Sequence, residues 1–228
     1  MQSKRHHFGP LLLEYKIEKD LLTKLIDIGK QMKRSANESL ASNMESQFQY
    51  EPENIEWIAE QLQPIFDDYK KQYCDIMYEH IKSNPSSRFT ISKEEMKCWK
   101  LKHQSLWINF MKSGEYNPPH FHDNCNISYV IFADVPEEIF KENEEYVGTS
   151  DGPGTIEFLF GTNYPEDFCS RKSFLPESGT MFIFPSNFMH TVMPFKSDVT
   201  RTTIAGNLFF NMVNLDILRK ENENDTSD

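Results

Sequence analysis

The sequence predicts an α+β fold, with helices in the first part and mainly antiparallel strands, arranged as a sandwich or open barrel, in the rest. Three observations predict it. Apolar residues recur at three- and four-residue intervals only up to Ile81, short aromatic or β-branched runs separated by turn-forming residues fill the stretch from Phe89 to Phe210, and no helix-length amphipathic segment interrupts those runs. A chain of 228 residues suffices for one well-filled core.

The first helix is expected from about Glu18 to Met32, where Leu21, Leu22, Leu25, Ile26 and Ile28 share a face and Gly29 weakens the last turn. Residues 34–50 are rich in Ser, Asn and Gln, so they read as a surface connection long enough to serve as a lid. Pro52 opens a second helical stretch running from Ile55 to Ile81, which Pro64 divides or kinks, and its aromatic stripe reads as a face packed on a sheet. Strands are expected at Phe89–Ile91, Cys98–Leu101, Leu106–Met111, Ile127–Ala133, Thr155–Phe160, Gly179–Phe184 and Thr202–Phe210. The carboxylate-rich stretch Pro136–Gly154 reads as an exposed excursion. The organisation that follows is an N-terminal helical region over 1–88, a strand-built core over 89–215 and an acidic tail over 216–228.

A net charge of −11 and a pI near 5.1 disfavour a nucleic-acid partner. The apolar run Leu11–Leu13 is too short for a signal peptide or membrane span, and a cytoplasmic protein is expected. Cys74, Cys98, Cys125 and Cys169 form no C-x-x-C pair and read as free thiols.

The chemistry is concentrated in His120, His122, His190 and Arg201. Two imidazoles separated by one residue on a strand point to one face, so His120 and His122 can hold one ion, with His190 brought in from a second strand at the end of the run Met181–Phe184. Three ligands with open positions suit a redox metal rather than a closed zinc site. Asp123 is the alternative to His122, although strand alternation sends it to the opposite face unless a bulge or turn intervenes. Of the other histidines, His6 and His7 lie at the start of the chain, and His80 and His103 fall among charged or polar residues.

The motifs WINFMKSGEYNPPHFH, NISYVIFADVP, FLPESGTMFIFPSNFMHTVMPF and RTTIAGN, in this order, resemble those of 2-oxoglutarate- and Fe(II)-dependent dioxygenases, in particular the phage and marine-bacterial oxygenases related to prolyl hydroxylases. The resemblance covers roughly Trp107 to Phe210. It implies a double-stranded β-helix, or jelly roll, braced on one outer face by the N-terminal helices. It implies Fe(II) held by His120, His122 and His190, and 2-oxoglutarate whose far carboxylate meets Arg201 and Thr203. Ascorbate is a candidate reductant, and the location becomes a host cytoplasm if the chain is viral. Asn109 and Tyr129 are further candidates for the cosubstrate pocket, and Asn207 shares the parity of Arg201 and Thr203. The implied reaction is dioxygen-dependent hydroxylation of a small-molecule or peptidyl substrate, a prolyl group among the candidates. A three-His dioxygenase that needs no 2-oxoglutarate and a non-catalytic jelly roll are the alternatives, and a homodimer formed through strand edges is left open.

Overall fold

A computed structural model of the chain describes residues 9–84, 91–161 and 170–211. The tail from 216 onward, Cys169, and the expected start of a strand at Phe89 lie outside the described residues.

Two antiparallel sheets face each other. The larger comprises β1 (Leu13–Lys16), β2 (Gln47–Gln49), β3 (Lys100–Met111), β5 (Ile127–Asp134), β8 (Thr180–Pro185) and β10 (Arg201–Asn211), ordered β1-β8-β5-β10-β3-β2. The smaller comprises β4 (Asn117–His120), β6 (Ile156–Leu159), β7 (Arg171–Phe174) and β9 (Met189–Val192), ordered β4-β9-β6-β7. This is the expected double-stranded β-helix with helices on one face. The helical region does more than brace it, because it also contributes β1 and β2 to the larger sheet.

Helix α1 (Lys19–Gly29) buries Leu22 and Leu25, and α2 (Pro52–Ser83) buries Ile58, Leu62, Phe66 and Tyr69 at spacings of three and four. Proline starts α2 where no intrahelical N–H bond is lost, and the helix continues through Pro64 rather than dividing there. At the end of α1, a Cβ on Gly29 would lie 2.3 Å from Ile108 Cδ1, so a larger residue there would have to displace the Ile108 side chain from under the helix. Leu106 and Ile108 of β3, Ile127, Tyr129 and Ile131 of β5, and Ile204 of β10 meet this helical layer in one apolar cluster. The alternate residues Met111, Phe132, Phe182 and Phe184 pack inward against Ile156, Phe158 and Val192 of the smaller sheet.

Three expectations are corrected. Pro136–Gly154 contains the helix α4 (Glu137–Glu144), anchored by the fully buried Ile139, and Ser92 and Glu95 form a reciprocal capping box that starts the short α3 (Lys93–Lys97). His190 does not continue the strand of Met181–Phe184. It stands on β9, beyond a turn whose Phe188 N–H donates to Pro185 O. Residues 34–50 are no mere surface connection, since Ala36, Met44, Gln47 and Tyr50 are buried and Gln47–Gln49 pairs with β3. No described helix is long and apolar enough to cross a membrane.

His103 sits under α2, its Nε2 2.7 Å from the Tyr129 hydroxyl and its ring edge-on to Phe66. Burial pulls its pKa down from 6.5 to about 4. The unfolded chain therefore binds a proton at higher pH than the folded one, and stability present above pH 6.5 is lost as the pH falls towards 4. The metal-free protein is expected to lose about 2 kcal/mol between pH 7 and pH 5 through His103 alone. Urea midpoints measured across that range check it, with His103→Gln giving the flatter pH dependence.

Candidate metal and cosubstrate site

The register of the smaller sheet builds the metal centre. His120 on β4 stands directly opposite His190 on β9, which brings their ring centroids to 4.2 Å. His122 lies just past the end of β4, where its backbone N–H donates to Ser186 O at 2.9 Å, and its ring comes to 5.2 Å from His120 and 5.3 Å from His190. One nitrogen from each ring falls within 4.8 Å of the others. Asp123 is exposed, next to Asn124 with its positive φ of 59°, and stands outside this cluster.

Two backbone carbonyls set the tautomers. His120 Nδ1 lies 2.7 Å from Pro118 O and His190 Nδ1 lies 2.9 Å from Phe188 O. A carbonyl only accepts, so each Nδ1 carries the proton and each Nε2 is left as the ring atom able to bind a cation. Burial, reinforced by the neighbouring imidazoles, lowers His122 to about 4 and His190 to about 3. Burial also lowers His120, against the opposing effect of the Pro118 carbonyl. All three are neutral at pH 7, the state that ligation requires. Phe184 and Phe158 flank His190 and Trp107 flanks His122, an apolar surround that limits water.

The same cavity, of about 550 Å³, is lined by Arg201, Thr203 and Asn207 of β10 and by Asn109 of β3. Arg201 is only 1 % exposed. Its Nη1 donates to Gly154 O at 2.6 Å and its Nη2 lies 2.8 Å from Met111 Sδ, while Nε has no partner. The guanidinium rests over the rings of Phe132 and Phe195, at 5.4 and 5.7 Å from their centroids. Burial lowers its pKa to about 10, which leaves it charged at neutral pH. No ion pair joins it to Asp198 or to any other carboxylate among the described residues. A buried cation of this kind lacks its counter-ion, and the cavity is where one can be supplied.

Thr203 Oγ1 accepts from Asn109 Nδ2 at 2.9 Å, and Asn207 Oδ1 accepts from the Ser128 hydroxyl at 2.9 Å. Tyr129 is among the residues lining the cavity, but its side chain is committed to the helix side. It packs in the helix-side cluster with Phe66, and its hydroxyl is engaged with His103. Its neighbours Ser128 and Val130 take the opposite face. Sequence reasoning missed Gln47, Leu40 and Phe121 as cavity residues. Alternation gave no signal for Phe121, because it sends a residue between two same-face histidines to the other face.

Residues 105–207 match the family described as "Putative 2OG-Fe(II) oxygenase". Among solved structures, the chain is similar to a prolyl-4-hydroxylase from Pseudomonas putida, with 11% sequence identity, a TM-score of 0.51, and coverage of 87% of this chain and 91% of that one. A 2OG-Fe(II) oxygenase family protein from Burkholderia pseudomallei matches with 15% identity and a TM-score of 0.32, over 49% of this chain and 44% of that one. No curated protein matches the sequence. This stretch of the strand core is thus similar to 2-oxoglutarate- and Fe(II)-dependent oxygenases, a family whose cofactor is Fe(II) and whose cosubstrate is 2-oxoglutarate. The donor set fits both groups: three neutral imidazoles for the cation, and an uncompensated guanidinium for the dianion.

Proposed function

We propose that the protein is a hydroxylase in which His120, His122 and His190 hold the iron and Arg201 binds the far carboxylate of 2-oxoglutarate. The observation that carries this reading is a fully buried arginine without a counter-ion in the same cavity as three converging imidazoles. With dioxygen, bound iron and 2-oxoglutarate supply an oxidative decarboxylation that yields succinate, carbon dioxide and a hydroxylated substrate.

The chain's own residues supply position and charge. A guanidinium can grip a carboxylate through two parallel N–H groups, and the unpartnered Nε of Arg201 is one such donor. Thr203 stands two residues along the same strand face, where its hydroxyl adds a second donor. Three neutral ligands leave the cation's charge undiminished, which strengthens its attraction for a dianionic cosubstrate compared with a carboxylate-containing set. Phe158, Phe184 and Trp107 keep the centre dry, so those attractions are weakly screened.

A small-molecule or peptidyl substrate is proposed, with a prolyl group as the first candidate because the Pseudomonas putida protein of similar fold is a prolyl-4-hydroxylase. Ascorbate is proposed as the reductant that keeps the iron ferrous. The test is succinate release and oxygen uptake by the iron-loaded protein with 2-oxoglutarate, alone and with free proline or prolyl peptides. Succinate formed in step with oxygen uptake, and accelerated by a prolyl compound, is the expected result. Oxygen uptake indifferent to 2-oxoglutarate would contradict it and favour a three-His dioxygenase that binds its substrate directly.

A further inference from the structure

We infer that Gln47, contributed by the polar segment before α2, is a positioning residue for the cosubstrate, acting through Asn109 on Thr203. The inference rests on the proposed binding of 2-oxoglutarate at Arg201 and Thr203, and identifies what fixes the second donor.

Gln47, Asn109 and Thr203 are cross-strand neighbours on β2, β3 and β10, paired Gln47 with Asn109 and Asn109 with Thr203. They are only 2 %, 4 % and 7 % exposed, and all three line the cavity. Their hydrogen bonds run in one direction. The Ser42 hydroxyl donates to Gln47 Oε1, Gln47 Nε2 donates to Asn109 Oδ1 at 2.8 Å, and Asn109 Nδ2 donates to Thr203 Oγ1 at 2.9 Å. Each amide accepts on its oxygen and donates from its nitrogen, so the order at one end dictates the order at the other.

The consequence falls on Thr203. Its oxygen is already occupied as an acceptor by Asn109, and none of the hydrogen bonds among the described residues uses its own proton. The Thr203 hydroxyl is thereby held as a donor, on the strand face it shares with Arg201. An anion is the ligand that an arginine and a committed hydroxyl donor suit together. Without Gln47, the Asn109 amide is free to turn over and present its NH₂ group elsewhere, and Thr203 can then spend its proton on Asn109.

The chain starts in the loop that forms one wall of the cavity. Ala36 N–H donates to Gln47 O at 2.9 Å, the Asn37 amide donates to Met44 O and Glu45 O at 3.2 and 2.9 Å, and Asn43 N–H donates to Tyr116 O at 2.9 Å, which ties the loop to the entry of β4. A segment that looks like a solvated connection is therefore closed upon itself, and its buried Gln47 amide points at Asn109.

The test measures dissociation constants of 2-oxoglutarate and of pyruvate by calorimetry on the anaerobic Fe(II)-loaded protein. Pyruvate keeps the 2-oxo acid group but lacks the far carboxylate. Gln47→Met should weaken 2-oxoglutarate about fivefold to tenfold, the scale of one ordinary hydrogen bond, and leave pyruvate unchanged. Thr203→Val should do the same, and the double variant should be no weaker than the worse single one. If Gln47→Met does not fold, Gln47→Glu keeps the acceptor for Ser42, lacks the donor to Asn109, and should give the same selective loss. Equal weakening of pyruvate, additive losses in the double variant, or no loss while Arg201→Met does weaken 2-oxoglutarate would each overturn the role of Gln47. A 2-oxoglutarate affinity indifferent to Arg201→Met would instead overturn the cosubstrate reading, and this inference with it.

Discussion

Replacing His190 by alanine is expected to abolish iron retention and all 2-oxoglutarate-dependent turnover. The imidazole is buried and oriented by the Phe188 carbonyl, and it stands directly opposite His120 in the sheet register. Loss of an outer partner to a metal ligand typically weakens binding 10- to 100-fold, so loss of the ligand itself should exceed about 100-fold. Metal content after gel filtration, and Fe(II) titration of the metal-free protein, measure it. His122→Ala should behave the same way, whereas Asp123→Ala should leave iron affinity within about threefold, the small effect expected of an exposed carboxylate outside the cluster. The reverse ranking of those two variants would assign the third ligand to Asp123. Added imidazole should partly restore iron to His190→Ala, which distinguishes a missing ligand from a collapsed fold.

The second large effect belongs to Arg201. Arg201→Met should weaken 2-oxoglutarate at least roughly 30-fold, corresponding to the 2–5 kcal/mol typical of truncating one partner of a buried charge pair. Iron affinity should be unchanged, because Arg201 makes no contact with the histidine cluster. The same substitution carries an unusual stability signature. The guanidinium is buried without a counter-ion, so a methionine of similar reach should leave the unliganded protein as stable as before, or more stable. Arg201→Lys should rescue the cosubstrate affinity poorly, since an ammonium lacks the planar fork. Calorimetric titration with 2-oxoglutarate and urea unfolding of the same variants test both halves. A large loss of stability with unchanged affinity would make Arg201 a structural residue.

The deep part of this site was legible in the sequence because alternation in β10 carries it: Arg201, Thr203 and Asn207 all line the cavity, as their even spacing requires. Tyr129 lines the cavity yet commits its side chain to the helix side, and the sequence could not show this for a physical reason. β5 is covered by helices on one side and by the second sheet on the other, so both faces are largely apolar, and Ser128 and Tyr129 put one hydroxyl on each parity. Residues 34–50 misled in the opposite way. Their Ser, Asn and Gln side chains resemble a solvated loop, yet Gln47 is buried because its amide is satisfied by Ser42 and Asn109, and pairing of this kind leaves no trace in local composition. α4 escaped because a single fully buried residue, Ile139, anchors a helix whose other seven positions are exposed or half-buried. The capping box of α3 was readable, since Ser92 and Glu95 have the required spacing, but five residues are too few to show a periodicity.

The central claim is that three histidines and a buried arginine form one site for iron and 2-oxoglutarate. Anaerobic titration of the Fe(II)-loaded protein with 2-oxoglutarate, followed by the weak visible charge-transfer band that chelation of ferrous iron produces, tests it most directly. The account predicts a saturable band that Arg201→Met shifts to higher 2-oxoglutarate concentration and that His190→Ala eliminates. Tight iron binding with no band at any 2-oxoglutarate concentration would contradict it.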